Sequence, residues 1–225
     1  MPLWNIKVRL GNQYASARVI FRKGEEATES KRCPVCSRRI DQNVTPTIVE
    51  WDDGADEIAD FIHGGLTVLV RDSVVDELIQ QFDGIGKRGI IFNDHPSLYR
   101  PTRITSRMKK RVWLPYEGPP ICEPLFLPQI EFHPRSTVSL DSRCDTCGHT
   151  VYKEFRGIER FAGLKHTPRE PGKGFFFRKS DVREVDFFTP KHTGYRICTD
   201  RAKDYILNRG FNNVQFLEVG DLLDE

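Results

Sequence analysis

The chain has 225 residues, 38% of them apolar, which suits one large domain or two small ones with a sizeable core. Lysine and arginine number 34 against 32 acidic residues, and a net charge of +2 is not the basic footprint of a general nucleic-acid binder. No stretch approaches the roughly 18 apolar residues of a membrane span, and the opening MPLWNIKVRLG lacks the apolar run of a signal peptide. The expectation is therefore a cytoplasmic protein in a reducing setting.

In chain order, residues 3–10 and 14–21 read as two strands joined at Gly11-Asn12. A charged, loop-like stretch, 23–32, leads into Cys33-Pro34-Val35-Cys36. Residues 44–51 alternate as a strand ending at Trp51. Asp52 and Asp53 then offer an N-cap to a short helix with Ile58, Phe61 and Ile62 inward, closed by Gly64-Gly65. Residues 66–70 form an apolar, β-branched run and so a strand. Asp72-Ser73 caps a helix bearing Val74, Val75, Leu78, Ile79 and Phe82 on one face. Gly84 and Gly86 stop it, and 89–92 is the next strand.

The middle, 93–135, is rich in proline and poor in period, an irregular connection with short strands near 111–114 and 129–132. Val138-Ser139-Leu140 leads to Cys144-Asp145-Thr146-Cys147-Gly148. Strands are expected at 150–155 and 175–177, a turn at 168–174, and a short helix or turn at 181–188. Strand 195–198, a Thr199-Asp200 cap, a helix marked by Ala202, Tyr205, Ile206 and Arg209, a Gly210 stop and strand 214–219 complete the chain. The fold class is α+β, with mixed sheets and two strand–helix–strand units in a single domain over 1–225. The halves 1–95 and 136–225, joined by the proline-rich 96–135, have the layout of a pseudo-duplicated chain. Their hook-to-helix spacings differ, 33 to 72 in one and 144 to 200 in the other.

Two residues between cysteines let both sulfurs of a hook turn to one point. Two hooks supply four thiolates, the set of a tetrahedral structural zinc. Cys33, Cys36, Cys144 and Cys147 are read as one such site tying the halves together, in preference to disulfides or inert buried thiols. The separation from Cys36 to Cys144 is far longer than the roughly 15–20 residues of a zinc ribbon, so the fold must bring the hooks together. Four thiolates fill the coordination shell and leave no position for a reactive water. His149 could replace a cysteine, but four sulfurs already suffice. Cys198, before a helix start, reads as a buried core thiol.

Catalytic signatures are missing: there is no GxSxG, HExxH or GxxxxGK[ST]. Gly84-Ile85-Gly86 with Gly89 has dinucleotide-loop spacing but follows a helix and precedes a strand, the reverse of the required order. Arg103, Arg107, Lys109, Lys110 and Arg111 form the densest basic patch, read as a solvated face before a phosphate site. Glu50, Asp52, Asp53, Asp56, Glu57 and Asp60 form an acidic cluster, read as helix capping and a soluble face before a steering surface for a basic partner.

Taken together, the two hooks, the central LTVLVRDSVVDELI, and the C-terminal DFF and CTDRAKDYILNRGFNNVQFLEV resemble the double-CXXCG proteins of bacteria. Many of these act as immunity proteins that neutralise a toxin delivered between neighbouring cells. The resemblance runs from about the first hook to the end and is one of motif order. It implies a protein that binds a cognate toxin, with a structural zinc for rigidity, and that is not an enzyme. The alternative is a zinc-containing nucleic-acid-binding or regulatory protein, resting on the basic run 103–111. Ser37 stands where the family has the glycine that follows the first hook, which puts that hook's turn geometry in question.

Overall fold

The structure, a computed structural model, describes residues 1–9, 11, 13–20, 32–38, 46–65 and 67–224. Residues 23–31 of the predicted loop, Asn12 of the predicted turn, and Leu10, Phe21, Val44, Thr45 and Leu66 of the predicted strands lie outside them. The elements run β1 (Pro2–Val8), β2 (Ala17–Val19), β3 (Thr47–Trp51), β4 (Phe61–Gly64), β5 (Thr67–Arg71), α1 (Asp72–Gln81) and β6 (Ile85–Phe92). There follow β7 (Ile121–Phe126), β8 (Gln129–Ile130), β9 (Val138–Arg143), β10 (Thr150–Phe155), β11 (Arg160–Ala162) and β12 (Lys165–Thr167). The chain closes with β13 (Phe175–Arg178), α2 (Lys179–Val182), β14 (Phe187–Pro190), β15 (Ile197–Thr199), α3 (Asp200–Asn208) and β16 (Val214–Leu223).

Among the described residues the strands build two mixed six-stranded sheets, in the orders β2-β3-β6-β7-β5-β4 and β13-β16-β1-β15-β14-β8, and two separate hairpins, β9–β10 and β11–β12. This is the α+β architecture expected. Each strand–helix–strand unit is split: β7 lies between β5 and β6, and β1 lies between β15 and β16. Side-chain alternation then sets the layers. In β4, Phe61 faces a central core while Ile62 faces an outer one; in β14, Phe187 faces the same central core and Phe188 the opposite outer one. The central core also receives Val74, Val75, Leu78 and Phe82 from α1 and Ala202 and Ile206 from α3. Strands β4, β5, β14 and β15 are thus covered on both faces, which explains a run as continuously apolar as Val68-Leu69-Val70, whereas β6 keeps one face exposed.

The helices end for local reasons. The Thr199 hydroxyl accepts the Ala202 N–H and caps α3 as the sequence implies. At α1, by contrast, Asp72 is the first helical residue and not its cap. Its carboxylate instead binds Lys87 of β6 at 2.8 Å, which holds the Asp72 pKa below the usual range. Gly84, at φ 87°, lies so close to β14 that a Cβ would fall 2.1 Å from the Phe187 carbonyl oxygen. That contact, and not a phosphate cradle, accounts for the first glycine of the GxG.

Other expectations change as well. The first two strands do not form a hairpin: β1 pairs with β15 and β16, while β2 pairs with β3. The apolar alternation was real, but long-range partners outcompete the nearest neighbour. No helix follows Asp52-Asp53. Residues 52–60 are irregular, and Phe61 and Ile62 lie in β4, hairpinned to β5. Their adjacency as two buried residues suits a strand covered on both faces, which helical spacing mimicked. The proline-rich middle is no mere connection, because it contributes β7 to the interior of a sheet. Pro124 hid that strand. It lies beyond the two register positions, Ile121 and Cys122, at which β7 pairs with β5, so β5 loses no ladder bond to it. Of the short strands expected nearby, 129–132 shrinks to β8, and 111–114 reduces to a single bridge from Leu114 to Tyr99.

Candidate metal centre

The second hook is the tip of the β9–β10 hairpin, where Arg143 opposes Thr150. The first occupies the described segment 32–38. The two fold identically. In the first, the Cys33 N–H donates to the Arg38 carbonyl at 2.8 Å and the Ser37 N–H donates to the Cys33 carbonyl at 2.9 Å. In the second, the Cys144 N–H donates to the His149 carbonyl and the Gly148 N–H to the Cys144 carbonyl, both at 2.8 Å. Ser37 takes φ 58°, the same left-handed conformation as Gly148 at φ 70°. Serine therefore makes the same turn as Gly148, at a backbone cost of about 1–2 kcal/mol.

The hooks meet. Cys33 Sγ lies 3.7 Å from Cys144 Sγ, and Cys36 Sγ lies 3.5 Å from Cys147 Sγ. All four sulfurs fall within 4.8 Å of one another. Disulfide sulfurs would be about 2.05 Å apart. A tetrahedral ion with bonds of about 2.3 Å to sulfur sets its ligands roughly 3.8 Å apart. The 3.7 and 3.5 Å pairs match the second geometry. Cys33 is buried and the other three are half-buried.

The electrostatics favour a cation. Backbone N–H groups of Cys36 and Val35 point at the Cys33 sulfur and lower its pKa to about 6. Those of Cys147 and Thr146 lower that of Cys144. At Cys147 the His149 N–H pulls the same way, but burial and the neighbouring Cys36, Cys144 and Cys33 thiols outweigh it and push the pKa up to about 12. Protein dipoles alone thus stabilise part of the thiolate charge, and a bound cation would stabilise the rest.

Other candidates resolve differently. His149 is outside the sulfur cluster; its ring packs edge-on against His192 at 4.8 Å. No sequence signal marked His192, which comes from the distant turn after β14. Cys198 is fully buried, and burial raises its pKa well above that of a free thiol despite the helix start beside it. Cys122 is likewise buried and pushed up to about 12 by burial and by Asp72. The basic and acidic patches face each other: Lys109 and Arg111 pair with Asp53, and Lys110 with Asp56. Asp60 pairs with Arg71, and Glu50 with Arg18. Neither patch is a surface of one sign. Among the described residues, no helix is long and apolar enough to cross a membrane.

No protein-family model matches the chain, and no curated protein matches it.

Proposed function

We propose that this chain is an immunity-type protein, which binds and neutralises a cognate bacterial toxin, and that its four cysteines hold a structural zinc. The observation that carries the reading is the closed all-sulfur cluster joining hooks from the two halves. Four clustered sulfurs suit zinc and leave no open coordination position, so the ion braces and does not react. The double-CXXCG resemblance supplies the partner class. Such a protein acts by covering or distorting the toxin, which calls for a rigid scaffold and a complementary surface. The alternative, a zinc-containing nucleic-acid-binding protein, leaned on the basic run 103–111. The ion pairs of Lys109, Lys110 and Arg111 with Asp53 and Asp56 weigh against it.

The test is co-expression with the product of a neighbouring toxin gene. Growth rescue together with a purified complex supports the proposal. Failure to bind that product, or salt-sensitive binding to DNA or RNA instead, overturns it.

A further inference from the structure

We infer that the chain is two copies of one strand-exchanging module, each donating its first strand to the interior of the other's sheet. The partner each module fits is a second module of the same kind. This goes beyond the proposed function and does not depend on it.

Five strands of each sheet correspond; the sixth, β2 beside β3 and β8 beside β14, is peculiar to its own sheet. One runs β4-β5-β7-β6-β3 and the other β14-β15-β1-β16-β13; in both, the first three contacts are antiparallel and the last is parallel. The registers agree as well. Phe61 opposes Val70 and Ile62 opposes Leu69, as Phe187 opposes Cys198 and Phe188 opposes Ile197. Val70 then meets Cys122 and Arg71 meets Ile121, as Cys198 meets Trp4 and Thr199 meets Leu3. On its other edge Cys122 meets Gly89 and Phe126 meets Ile85, as Trp4 meets Glu218 and Val8 meets Val214. A shared strand order could arise by convergence, but one residue correspondence running through three successive ladders is the mark of a repeat.

The helices and hooks extend the match. α1 opens on Asp72 and α3 on Asp200; Val74 and Leu78 are buried as Ala202 and Ile206 are, while Ile79 and Leu207 are exposed. The hooks share their pair of backbone hydrogen bonds. Read along the chain, the first module is β1, hook, β3, β4, β5, α1, β6, and the second is β7, hook, β13, β14, β15, α3, β16. In this reading β1 sits in the second module's sheet and β7 in the first's. The sulfur cluster, with one hook from each module, lies at the joint.

The inference is tested on the full chain carrying a protease recognition sequence between Arg103 and Ile104, both exposed. After cleavage, fragments 1–103 and 104–225 should elute together in native buffer at the mass of the intact chain and unfold in one transition. A chelator should lower that transition without parting them. Once separated in denaturant, neither fragment should regain a monomeric fold, because each lacks an interior strand of its own sheet. Remixing should restore the nicked species. Fragments that part in native buffer, or either fragment folding as a monomer, overturn the inference. A folded homodimer of one fragment supports it, the vacant slot being filled by a second copy.

Discussion

Exchanging the residues after the two hooks isolates one backbone effect. Ser37 and Gly148 occupy equivalent left-handed positions, at φ 58° and 70°. A Cβ at Gly148 would meet only the end of Arg143, at 4.0 Å, so the cost of a side chain there is conformational and not steric. The left-handed conformation costs a side-chain-bearing residue about 1–2 kcal/mol. Against this, glycine loosens the unfolded chain by about 0.4–1 kcal/mol. The net expectation is that Ser37→Gly stabilises by about 0.5–1 kcal/mol and Gly148→Ser destabilises by about the same. In a chain of this length that is a shift of roughly 1–4 °C in Tm. Thermal unfolding of the metal-loaded protein, followed by circular dichroism, reads both. A Ser37→Gly variant that melts lower, or a Gly148→Ser variant that melts higher, would refute the equivalence of the two turns.

Other outcomes are equally checkable. Cys144→Ser should lower metal content and destabilise the whole chain by several kcal/mol, because binding energy of a structural ion is folding energy; full loss of metal with unchanged melting contradicts this. Gly84→Ala should cost more than about 3 kcal/mol, combining left-handed strain with a Cβ at 2.1 Å from the Phe187 carbonyl oxygen. Gly89→Ala, with no atom within 4 Å of its Cβ, should fold normally and serves as the control. The Glu77 carboxylate of α1 is held below its ordinary pKa by hydrogen bonds from Arg209 and Tyr205 of the α3 segment. A depressed carboxylate contributes stability that is fully present above its unfolded value, about 4.3, and is lost as the pH falls through the folded value. Glu77→Gln should therefore flatten the acid limb of the stability profile below about pH 4.5 and change nothing in its shape above pH 6; an unchanged acid limb would remove the helix–helix clasp.

How much was legible follows from the range of each interaction. The helix bearing Val74, Val75 and Leu78, the Phe175–Phe177 strand and the Thr199 cap are set by neighbours a few residues away, and composition marks them. The four clustered cysteines were legible because spacing within a hook is local, and only the meeting of the hooks needed the fold. What escaped was long-range. Nothing in the first strand marks its place between β15 and β16, and Pro124 actively disguised β7. The Phe61-Ile62 pair reads as helix or strand alike until both of its faces are known to be covered. The charged runs gave composition but not partners, so their mutual neutralisation was invisible.

The most direct test of the account is metal stoichiometry and coordination in the purified protein, by elemental analysis and X-ray absorption at the metal edge. The account predicts one zinc per chain with four sulfur neighbours at about 2.3 Å, lost when a cysteine of either hook is replaced. A metal-replete protein without zinc, or zinc held by one hook with oxygen or nitrogen completing its shell, would contradict it.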